Sequence, residues 1–78
     1  MKQTFAIADR GRTADEKTLI LVEKGKFSGY GYIPDSEQIQ SLDDLKNYIR
    51  PLKENFYIRY LIARFAEEHP AKVVYFNQ

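Results

Sequence analysis

The chain has 78 residues, with 12 Lys+Arg against 11 Asp+Glu for a net charge of +1, and 44% of it is hydrophobic. This describes one small domain held by packing alone: without Cys there are no disulfides or thiolate metal sites, and a single histidine excludes a multi-histidine metal centre. The charge is also evenly spread, six basic and five acidic side chains in 1–35 and six of each in 36–78, which is not the footprint of a strong nucleic-acid binder.

No apolar run approaches the ~18–20 residues of a membrane span. The start, Met1-Lys2-Gln3-Thr4, is polar and has no signal-peptide core behind it, so a soluble cytoplasmic protein is expected. The first third has strand character. Phe5-Ala6-Ile7-Ala8 is a short apolar run stopped by the charged, turn-prone stretch Asp9 to Glu16. Two further runs, Thr18–Val22 and Phe27–Ile33, flank Glu23-Lys24-Gly25-Lys26. Gly25 takes positive φ at no steric cost, so Lys24-Gly25 suits a two-residue hairpin turn. In an unbroken ladder from that turn, Glu23 faces Lys26, Val22 faces Phe27, Ile20 faces Gly29 and Leu19 faces Tyr30. One sheet face then carries Thr18, Ile20, Val22, Phe27, Gly29, Gly31 and Ile33, where the glycines would let another element approach closely.

Helical periodicity follows. Ser41 with Asp44 three residues on marks a helix start; Leu42, Leu45, Tyr48 and Ile49 form an apolar stripe, with Leu52 a further candidate, and Pro51 ends the helix at about Arg50. A second helix is expected from about Asn55 to Glu68, stopped by His69-Pro70, with Ile58, Leu61, Ile62, Phe65 and Ala66 on the arc facing the sheet. Lys72–Phe76 has the composition of a final strand. The order β-β-β-α-α-β reads as one α+β domain over 1–78: an antiparallel sheet of three to four strands with two helices packed on one face.

The second helix holds more aromatic residues than one buried stripe needs. Phe56, Tyr60 and Arg64 fall on a separate ridge at i, i+4 and i+8, bordered by Tyr57 and Arg59. Rings beside guanidinium groups suit a protein interface, suit stacking on nucleic-acid bases, or simply pack on the first helix or the final strand. Arg10 and Arg12 flank Gly11 in the first loop, where they either hold a phosphate or pair with Asp15 or Glu16 at the surface. The carboxylate pairs Asp15-Glu16, Asp43-Asp44 and Glu67-Glu68 show no convergence on a metal, and His69 fits a helix C-terminal partner better than a general base. No phosphate-binding loop, dinucleotide fingerprint or nucleophile elbow is present. The residues therefore offer no catalytic, cofactor-binding or metal-binding site.

Phe5-Ala6-Ile7, then Gly11-Arg12 and Glu16, then Leu21–Lys26, Gly29–Ile33 and Leu45–Ile49 follow in order, ahead of the arginine-bearing second helix. This succession resembles the C-terminal segment of bacterial exonuclease proteins of the DNA polymerase III epsilon subunit-like kind, some with an excinuclease C-like nuclease region. The resemblance implies a noncatalytic accessory domain of a longer 3′–5′ exonuclease protein in DNA replication or repair. The metal-binding carboxylates and catalytic histidine of such proteins belong to the upstream domain and match nothing here. What the resemblance implies is a docking or positioning role, with the upstream nuclease domain or a replication or repair protein as partner. The alternative is a weak nucleic-acid-binding module using Arg10, Arg12, Arg59 and Arg64, and an unpaired sheet edge would also allow a homodimer. No membrane partner is expected.

Overall fold

The computed structural model describes residues 3–38, 40–53 and 55–76, and for Phe56 the backbone alone. Among these residues the chain runs β1 (Thr4–Arg10), β2 (Glu16–Glu23), β3 (Lys26–Pro34), α1 (Leu42–Lys46), β4 (Ile49–Pro51), α2 (Phe56–Glu68), a short 3-10 turn (Pro70–Lys72) and β5 (Val73–Phe76). The strands form one antiparallel sheet in the order β4-β3-β2-β1-β5. The α+β class is as expected; the strand count rises to five.

The β2–β3 turn forms where expected. Lys24 and Gly25 both have positive φ, 50° and 81°, the combination that matches the twist of paired strands in a two-residue hairpin. A left-handed backbone at Lys24 costs energy, and the first strand supports it. The Lys24 amide donates to Thr4 Oγ1 at 3.0 Å and the Gly25 amide to the Gln3 carbonyl at 2.9 Å.

Beyond the turn the ladder departs from the expected register. Glu23 faces Lys26 and Val22 faces Phe27, but Leu21 then pairs with Gly29, leaving Ser28 as the extra residue of a β-bulge. The Ser28 hydroxyl donates to Glu23 Oε2 at 2.8 Å, and Glu23 Oε1 also pairs with Lys46 Nζ at 2.7 Å. The bulge is thus tied to the end of α1. Past it every β3 side chain changes face. Tyr30 and Tyr32 stand beside Ile20 and Thr18, while Gly29, Gly31 and Ile33 join Leu21, Leu19 and Lys17.

The helices lie on opposite faces of the sheet, not together on one. Leu42 and Leu45 of α1 pack on Ala6, Leu19, Leu21 and Ile33. Ile62 of α2 packs on Ile7, Val22 and Phe27, with Ile58, Phe65 and Ala66 beside it. The physical reason is that β1 and β2 are apolar at consecutive positions, so both faces need a cover. The first helix is also shorter than its stripe suggests. Ser41 caps it, accepting from the Asp44 amide at 3.1 Å, but it ends at Lys46, and Ile49–Pro51 becomes a fourth strand along β3. Pro51 disfavours helical geometry at Arg50, and β-branched Ile49 suits a strand. Gly29 and Gly31 permit the close approach: a Cβ on either would overlap the carbonyl oxygen of Arg50 or Tyr48, respectively.

Candidate interaction surface

Helix α2 is positioned by its ends. Asn55 accepts from the Ile58 amide at 2.9 Å through its side chain, and the His69 amide donates to the Phe65 carbonyl at 2.9 Å before Pro70 stops the helix. With Ile58, Ile62, Phe65 and Ala66 turned to the sheet, the outward surface carries Tyr57, Tyr60 and Leu61, which are 69%, 57% and 45% exposed, together with exposed Arg64. These four stand at i, i+3, i+4 and i+7, one continuous stripe on a helix. Arg64 Nη1 donates to the Tyr60 hydroxyl at 3.3 Å, which holds the two side chains side by side.

Tyr60 and Arg64 come together as the i, i+4 spacing requires. The side chain of Phe56 lies outside the described residues. Arg59 is exposed on the other flank of α2, bordering a depression formed with Phe5, Val22, Phe27 and Ile62. Arg10, at the end of β1, lines a groove of about 290 Å³ together with Asp9, Thr18, Ile20 and Leu61. Leu61 therefore forms a groove wall rather than the core contact expected of it. Ile58, Ile62, Phe65 and Ala66 cover the sheet without it.

Arg12 is committed elsewhere. Its Nε and Nη2 donate to Glu16 Oε2 and Oε1 at 2.7 and 3.1 Å, and its guanidinium lies 3.8 Å from the centre of the Tyr32 ring. Hydrogen bonding to Arg12 holds the Glu16 carboxyl below its ordinary range, and the same contact raises the Arg12 pKa. Three lysines are paired too: Lys17 with Asp35, Lys46 with Glu23 and Lys72 with Asp9. Hydrogen bonds from Lys72 and Lys46 likewise lower the Asp9 and Glu23 pKa values. Of the two outcomes foreseen for the Arg10-Gly11-Arg12 loop, Arg12 takes the surface ion pair.

Tyr57, expected only at the border of the ridge, and Leu61, expected on the sheet-facing arc, both join the outward stripe, and their spacing from Tyr60 and Arg64 carries the signal. Tyr30 and Tyr32, expected on the opposite face, are turned by the bulge onto the α2 side, where their rings meet edge to face at 6.0 Å. No helix among the described residues is long and apolar enough to cross a membrane. Comparisons with family models, curated proteins and solved structures gave no match to this chain.

Proposed function

We propose that the chain is a noncatalytic docking domain of a DNA polymerase III epsilon subunit-like 3′–5′ exonuclease protein, and that it engages the upstream nuclease domain through the outward stripe of α2. The observation that carries this reading is the exposed set Tyr57, Tyr60, Leu61 and Arg64 at i, i+3, i+4 and i+7 on a helix whose sheet-facing side is already occupied. Helices docked in a partner's groove are anchored at these spacings, and Tyr and Arg are enriched among the residues that dominate binding energy. The resemblance supports the upstream nuclease domain as the partner, beside a replication or repair protein.

A nucleic-acid role draws less support from the surface. Binding a strand requires cations to replace the counterions of each phosphate. Here Arg12, Lys17, Lys46 and Lys72 are already paired with carboxylates of the same chain, and the net charge is +1.

Calorimetric titration of the chain against the nuclease domain of the longer protein tests the reading. Leu61→Asp and Tyr60→Ala should each weaken association at least ~10-fold, about 1.4 kcal/mol, as expected of central anchors. Parallel titrations use a fluorescent single strand and a duplex at about 50 and 200 mM salt. Unchanged nuclease-domain binding in both variants would sink the docking reading. So would tight, salt-dependent DNA binding that Arg64→Ala abolishes.

A further inference from the structure

We propose that two copies of this chain pair through their β5 strands, Val73–Phe76, antiparallel about a twofold axis, to continue the five-stranded sheet across the dimer. Strand β5 lies at the sheet margin with β1 on its inner side, and among the described residues no strand pairs with its outer side. That side presents backbone donors and acceptors in a row, which only another extended strand can satisfy in register.

The two sheet margins differ. At the opposite edge, β4 spans three residues, ends in Pro51 and carries the exposed Arg50, features that discourage strand addition. All four β5 residues are β-branched or aromatic, and none is charged. Val74 is 39% exposed on the α1 side and Tyr75 is 58% exposed on the α2 side, so apolar surface flanks this edge on both faces.

The occupant that fits is a second copy, because the strand is complementary to itself. In a twofold register centred on Val74, that residue meets its own equivalent on one face. On the other face Val73 meets the partner's Tyr75, and a cross-strand β-branched–aromatic pair is favourable. No like charges are opposed within the strand, and a net charge of +1 per copy leaves little repulsion between copies. This surface is separate from the α2 stripe, so a dimer leaves that stripe free for its own partner.

Sedimentation equilibrium of the 78-residue chain from about 10 to 500 µM tests the proposal, together with amide exchange at both ends of that range. The wild-type mass should climb from monomer towards twice the monomer, with exchange at β5 amides slowing as concentration rises. Val74→Lys should weaken self-association at least ~10-fold, Val74→Thr should retain it, and Tyr60→Ala should leave it unchanged. Circular dichroism verifies that each variant is folded. A monomer at every concentration would overturn the proposal, as would a dimer that Val74→Lys leaves intact or whose protected amides lie outside β5. If Val74→Lys does not fold, the wild-type mass and exchange series decides alone.

Discussion

The two faces of the sheet are closed in opposite ways. On one, five-residue α1 seals its cluster tightly: Ala6, Leu19 and Leu45 have no exposure, and β4 runs along β3 with its backbone close against the glycines. On the other, the 13-residue α2 buries only Ile62 to a comparable degree among its described side chains, and it holds Tyr57, Tyr60 and Leu61 in solvent. A short element can therefore close one face while a longer one leaves much of its own surface in solvent. Fold stability should reside on the α1 face and recognition on α2.

The sharpest way to break this contrast is to truncate a leucine on each helix. Leu45→Ala opens a cavity in the sealed cluster and should cost about 2–5 kcal/mol in urea unfolding. Leu61→Ala removes a groove wall and should cost less than about 1 kcal/mol. Equal losses would erase the distinction between the faces. Next in size is Gly31→Ala, whose Cβ would meet the Tyr48 carbonyl. It should destabilise by roughly 1–3 kcal/mol, with amide exchange rising first in β4 if that strand is displaced. Asn55→Ala should cost about 1 kcal/mol by removing the cap of α2, and fraying by circular dichroism should follow.

Acidification should have the smallest effect. The Asp9, Glu16 and Glu23 carboxyls have lowered pKa values, first because Lys72, Arg12 and Lys46 donate hydrogen bonds to them. The folded chain thus binds these protons less readily than the unfolded chain. Their stabilisation is full above the unfolded carboxylate range near ~4 and is lost as pH falls through the folded values. Urea midpoints should stay level from about pH 7 to 5.5 and decline below about pH 4, with a shallower decline in Glu16→Gln. A chain that grows more stable on acidification would contradict the three ion pairs.

Much of the fold was legible where local chemistry allows one answer. Lys24-Gly25 sets the hairpin, Ser41 starts α1, and Pro70 ends α2. The misses came where two answers were locally equal. Both faces of β2 are apolar, so alternation could neither reveal the Ser28 bulge nor exclude a helix on each side. The segment Tyr48–Arg50 suits either the last turn of a helix or a short strand, and the choice depends on glycines far off in sequence. At the surface, Tyr60–Arg64 followed from helical spacing. The exposure of Leu61 did not, because it depends on how α2 lies across the sheet.

The most direct measurement is an amide chemical-shift map of the isotopically labelled chain as the nuclease domain proposed as its partner is added. The largest shifts should fall on Tyr57, Tyr60, Leu61 and Arg64, with the α1 face silent. Shifts centred on α1 and β4, or none at saturating nuclease domain, would contradict docking through α2.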